Sequence, residues 1–123
     1  MYSIKVEAYF SSAHNLRGYK GKCESLHGHN WKVEVRVAAA ALDKIGMVMD
    51  FKVLKDKLNA ALEKLDHKYL NKLAYFKKVN PTSENIARYI YLQLKKRLKK
   101  GSVRVARVKV WETENSAATY FEV

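Results

Sequence analysis

The hydrophobic period switches twice along this chain, from two to about 3.6 and back to two, and few architectures accommodate that order. From Tyr2 to Phe10, Ile4, Val6, Ala8 and Phe10 alternate with Ser3, Lys5, Glu7 and Tyr9. Successive side chains of an extended backbone point to opposite faces, so this run predicts a strand with one buried side. Asn15, Gly18, Gly21 and the basic residues around them mark Ser11 to Cys23 as loop. The alternation returns at Trp31, Val33, Val35 and Val37, with Lys32, Glu34 and Arg36 on the opposite face. This is a second strand.

The helical period begins at Asp50, an N-cap whose carboxylate accepts from first-turn amides. Phe51, Leu54, Leu58, Ala61, Leu62 and Leu65 follow at spacings of three and four. Pro81-Thr82-Ser83 announces a second helix, with Thr82 or Ser83 as cap and Ile86, Ile90, Leu94 and Leu98 as its stripe. Lys95, Lys96, Lys99 and Lys100 favour its C-terminal dipole end, and Gly101 is a natural stop. Strands over Val103 to Glu112 and Ala117 to Val123 close the chain, with a parity slip at Ala106-Arg107 that predicts a bulge. The expectation is an α+β fold: a four-stranded antiparallel sheet with two helices on one face, in the order ββααββ. At 123 residues one domain, 1–123, is expected. The edges of so small a sheet need covering or pairing, which favours oligomerisation by sheet extension.

No apolar stretch reaches the length of a membrane span, and with the alternating run starting directly after Met1 a soluble, unexported protein is expected. The lone Cys23 forbids an intrachain disulfide and suits a reducing cytoplasm. A formal charge of +12 attracts polyanions, either a phosphorylated small substrate or nucleic acid. A basic nucleic-acid-binding module is the non-enzyme alternative. It leaves the histidines, the cysteine and Glu112 without a role, and the aromatic residues are not interleaved with the basic ones as stacking platforms require.

Three of the four histidines fall where one ion could gather them. His27 and His29 share the parity of Trp31; if the second strand extends back to them, both imidazoles face one side, roughly 6.5–7 Å apart along the backbone. His14 continues the parity of Ile4 to Phe10 and reaches the buried face if its strand stays extended. Three imidazoles with no fourth protein ligand in evidence describe a catalytic zinc site with an open position; the alternative is a set of ordinary hydrogen-bonded histidines. Cys23, beside Lys22 and four residues before His27, has three open readings: general base, fourth ligand, or inert small hydrophobe. Asp66-His67 ends the first helix. Adjacent residues seldom pair well, so the two are expected to act on a third group, or His67 merely favours the helix terminus. Glu112, at a strand end, either grips a guanidine-like edge with two parallel hydrogen bonds or faces solvent.

Six segments resemble the 6-pyruvoyltetrahydropterin synthase and 6-carboxytetrahydropterin synthase family over nearly the whole chain. They are Phe10 to His14, Cys23 to Asn30, Gly46 to Phe51, Leu65 to Asn71, Asn80 to Asn85 and Trp111 to Glu114, in order. The resemblance implies a tunnelling fold assembled as a hexamer, a dimer of trimers, with active sites between subunits. It implies Zn2+ on His14, His27 and His29, Cys23 as proton acceptor, Asp66 and His67 as proton relay, and Glu112 as pterin anchor. Thr82 and Ser83 are further expected substrate contacts. No catalytic residue departs from the family pattern. Only Glu24, Ser25 and Leu26 separate Cys23 from His27, as in the 6-carboxytetrahydropterin synthases of the queuosine and archaeosine precursor route. The implied reaction converts 7,8-dihydroneopterin triphosphate to 6-carboxytetrahydropterin with loss of triphosphate and acetaldehyde. The alternative is the 6-pyruvoyl branch, which eliminates triphosphate and keeps the carbon skeleton.

Overall fold

The computed structural model describes residues 1–98 and 101–123. Its elements run β1 (Tyr2–His14), β2 (His27–Ala39), α1 (Phe51–Glu63), α2 (Ala74–Lys78), α3 (Ser83–Arg97), β3 (Arg104–Thr113) and β4 (Ser116–Tyr120), with short 3-10 turns at Lys22–Glu24 and Leu70–Lys72. The four strands form one antiparallel sheet in the order β1-β2-β3-β4, and the helices fill the connection between β2 and β3. The expected α+β architecture therefore holds, with the five-residue α2 as an addition that its short apolar pattern did not announce.

Both long strands exceed their expected bounds. β1 and β2 pair without interruption from Tyr2↔Ala39 to His14↔His27, so Ser11 to His14, expected as loop, are strand. Their polar side chains obscured a backbone that the partner strand keeps extended. β4 ends at Tyr120, short of the expected Val123. The bulge foreseen near Ala106 is present: Arg36 faces Arg107 while Val37 faces Val105, which leaves Ala106 as the extra residue. A second irregularity lies between Trp111↔Ala117 and Thr113↔Ser116, and Glu112 is the residue it sets apart.

One face of the sheet carries the helices. Leu54, Leu58 and Leu62 of α1 and Ile86, Ala87, Ile90, Tyr91 and Leu94 of α3 bury against Phe10, Trp31, Val33, Val35, Val108 and Val110. Each leucine, isoleucine, valine or phenylalanine among them contributes about 1.5–3 kcal/mol on removal from water, before the entropy of ordering it is subtracted. Asp50 caps α1 by accepting from the Lys52 amide at 2.8 Å, and Thr82 caps α3 by accepting from the Asn85 amide at 3.1 Å. Lys95 and Lys96 lie in the last turn of α3, while Lys99 and Lys100 lie outside the described residues. Among the described residues no helix is long and apolar enough to cross a membrane.

Candidate metal centre and its surroundings

The pairing of β1 with β2 builds the site. Phe10 faces Trp31, Ser12 faces His29 and His14 faces His27 across the ladder, so strand parity carries the apolar face of the core directly into three imidazoles. Trp31, fully buried, stacks on Phe10 with centroids 5.8 Å apart and meets His14 and His29 edge-on at 4.9 and 5.1 Å. The imidazole centroids of His14, His27 and His29 lie 4.5, 5.2 and 4.8 Å from one another. This is the convergence that the spacing of the three histidines predicted.

Two of the three tautomers follow from what the rings touch. His14 Nδ1 lies 2.7 Å from the Pro81 carbonyl, and His27 Nδ1 lies 2.7 Å from the Ser25 carbonyl. A carbonyl only accepts, so each Nδ1 carries the proton and each Nε2 keeps its lone pair. Metal-ligating histidines are held this way by their outer partners. Burial pushes the His14 imidazole below its ordinary pKa, the Pro81 carbonyl opposing it, and burial does the same to His29 against the pull of Glu112. The Nε2 atoms of His14 and His29 are buried without a hydrogen-bond partner, a costly condition that a cation relieves.

Glu112 brings a fourth possible donor beside the three imidazoles. Its Oε1 lies 2.8 Å from His29 Nε2 and 3.8 Å from His14 Nε2. The closer approach lacks the alignment of a hydrogen bond, which is why His29 Nε2 remains unpartnered. One donor atom from each of His14, His27, His29 and Glu112 falls within 4.8 Å of the others, so the group can hold a metal ion. Nitrogen and carboxylate donors in this number suit a divalent transition ion, zinc among them. The signal for Glu112 was legible: it shares the inward parity of Val108 and Val110. Ser83 donates to Glu112 Oε2 at 3.3 Å, whereas the Thr82 hydroxyl is engaged as the helix cap.

Cys23 lies partly buried in the 3-10 turn Lys22–Glu24 and is not a member of the metal-holding group. Asp66 and His67 do pair, contrary to expectation, with His67 Nδ1 3.0 Å from Asp66 Oδ2. The contact depends on His67 adopting φ 55°, the one left-handed non-glycine among the described residues and a conformation that holds only when neighbours impose it. The neighbour is β1: Ser11 donates its amide to Asp66 Oδ1 at 2.8 Å and accepts from the His67 amide at 2.6 Å. The Ser11 amide is the first cause of an Asp66 carboxyl held below its usual range, with His67 adding to it. The His67 side chain is 82% exposed, and it shares with His29 the wall of a shallow depression of about 530 Å³.

The sequence signature described as 6-pyruvoyl tetrahydropterin synthase matches residues 3–123. A 6-carboxy-5,6,7,8-tetrahydropterin synthase of Synechocystis is 41% identical, the match covering 98% of this chain and 94% of that protein. A dihydroneopterin monophosphate aldolase of Pyrococcus furiosus is 39% identical over 89% of this chain and 88% of its own. Among solved structures, the 6-pyruvoyl tetrahydropterin synthase of Caenorhabditis elegans superposes with a TM-score of 0.89 at 30% identity, covering 99% of this chain and 96% of that one. Three activities on one scaffold place the distinction between them outside the fold.

Proposed function

The chain belongs to the 6-pyruvoyl tetrahydropterin synthase family of enzymes, and on that premise we propose that it is the 6-carboxytetrahydropterin synthase. It would convert 7,8-dihydroneopterin triphosphate to 6-carboxy-5,6,7,8-tetrahydropterin, releasing triphosphate and acetaldehyde, as a zinc-dependent lyase in the queuosine or archaeosine precursor route. The observation that carries this reading is the convergence of His14, His27 and His29, whose ligand atoms lie with that of Glu112 within 4.8 Å of one another, the Nε2 atoms of His14 and His29 being buried without a hydrogen-bond partner. The three-residue spacing from Cys23 to His27 and the similarity to the Synechocystis enzyme support the carboxy branch.

When bound, zinc supplies a Lewis acid for substrate hydroxyls whose charge develops during turnover. His14, His27 and His29 would hold it. Cys23, outside that set, takes a proton from the substrate side chain. Asp66 keeps the His67 imidazole oriented through Nδ1, leaving Nε2 to return a proton. The exposure of His67 in a single chain supports a site completed between subunits, as in the hexamer that the family resemblance implies. Glu112 accepts from the 2-amino and ring N–H edge of the pterin with its two oxygens, and Ser83 borders that carboxylate. A cytoplasmic setting keeps Cys23 reduced.

Incubation with 7,8-dihydroneopterin triphosphate tests the reading. Triphosphate and acetaldehyde in equal amounts are expected. Triphosphate without acetaldehyde would assign the pyruvoyl reaction, which the similarity to the nematode enzyme keeps as the second reading. Affinity for DNA that falls steeply with salt, with no turnover, would favour the nucleic-acid module instead.

A further inference from the structure

The chemistry above leaves Asn71 and Asn80 unused, yet their hydrogen bonds lead to Cys23. Asn71 meets the backbone of Asn15 twice, accepting from its amide at 2.9 Å and donating to its carbonyl at 2.8 Å. Asn80 does the same to Arg17, accepting at 3.0 Å and donating at 2.8 Å. Each side-chain amide thus stands in for a peptide group of a partner strand, and the two grips fall on alternate residues, as ladder bonds do along an antiparallel edge. Leu16, the residue between, donates its amide to the Cys23 carbonyl at 2.7 Å.

Other contacts stiffen the same short run. The Arg17 guanidinium donates to the Phe76 and Val79 carbonyls at 2.6 and 3.0 Å, and the Tyr69 hydroxyl donates to Asn15 Oδ1 at 2.6 Å. The turn that carries Cys23 is therefore suspended between two ties. One is the Leu16 amide on the Cys23 carbonyl; the other is the His27 ring on the Ser25 carbonyl. The second tie comes from an imidazole of the metal-holding group, and the first depends on the asparagines.

We propose that Asn71 and Asn80 are positioning residues for Cys23: by gripping the backbone on either side of Leu16 they aim its amide and so set where the thiol sits. The catalytic consequence rests on Cys23 acting as the base, whereas the positional claim does not.

The zinc-loaded enzyme with Asn71→Ala, Asn80→Ala and Asn80→Asp separates the two. The aspartate retains the acceptor for the Arg17 amide and loses the donor. In the alanine variants the Leu16 amide should exchange with solvent about tenfold faster or more, and Cys23 should be alkylated by iodoacetamide at a changed rate. Metal content should hold. Turnover should show kcat lowered about 10- to 100-fold at a KM within about twofold of the parent, with Asn80→Asp between the two. Exchange and alkylation at parental rates in both alanine variants would overturn the proposal. Altered rates with unaltered kcat would uphold the positional claim and remove Cys23 from the chemistry. Should the alanine variants fail to fold, Asn80→Asp decides by the same two rates.

Discussion

Along β1 and β2 the helix-facing side of the sheet changes character at the Phe10–Trp31 rung. On one side of it Ala8, Val33, Val35 and Val37 are buried among aliphatic side chains from α1 and α3. On the other, two residues further along each strand, the same register and the same facing deliver Ser12, His14, His27 and His29. The apolar end is complete in itself, since its groups want only one another. The imidazole end is tidy at Nδ1, where carbonyls of Pro81 and Ser25 accept, and unfinished at Nε2. One ladder thus supports a region whose order comes from buried area and a region whose order is arranged around something else.

Substitutions should separate the two regions cleanly. The largest effect belongs to Cys23→Ala: turnover should fall by about 10²–10⁴-fold, the range for losing a positioned proton acceptor, with zinc content unchanged by metal analysis. Loss of zinc in that variant would mean that sulfur, and not only imidazole, holds the ion. Ile90→Ala, in the apolar region, should cost about 2–5 kcal/mol by urea unfolding and leave zinc stoichiometry intact. His14→Ala should do the reverse, losing the metal at a smaller cost to apoprotein stability than Ile90→Ala. A large fall in apoprotein stability there would erase the distinction between the regions.

Glu112 sits on the boundary and sharpens it. As a pterin anchor, Glu112→Gln should raise KM by about tenfold or more, as for loss of a charge-assisted pair, with zinc retained. If it serves chiefly as a ligand, the metal leaves instead. The smallest expected effect is one of pH. Burial holds His14 and His29 below the ordinary histidine value of 6.5. As pH falls below that value the unfolded chain takes up protons that the folded apoprotein refuses. Apoprotein stability should therefore be full above the unfolded value and decline as pH drops towards the folded one. A flat profile from pH 7 to 5 would show that the imidazoles are not protected by burial.

Period and parity carried most of this architecture in the sequence. Alternation located all four strands, Asp50 and Thr82 announced their helices, and the slip at Ala106 marked its bulge. Parity also places His14, His27 and His29 on one face, provided that both strands stay extended through them. What stayed hidden was conformation imposed from outside the local segment. Ser11 to His14 read as loop because their extended backbone is enforced by β2. Asp66 and His67 read as a poor pair because the left-handed turn at His67 is held by Ser11 of β1, far away in sequence. The carbonyls that settle the imidazole tautomers leave no trace in residue identity, since every residue has one.

The proposed chemistry requires imidazole nitrogens, without sulfur, to gather one ion. X-ray absorption at the zinc edge of the metal-loaded protein addresses that directly. Light scatterers at about 2.0–2.1 Å, with none at the roughly 2.3 Å of a zinc–sulfur bond, are predicted at one zinc per chain. A sulfur shell, or a protein that binds no zinc, would contradict it.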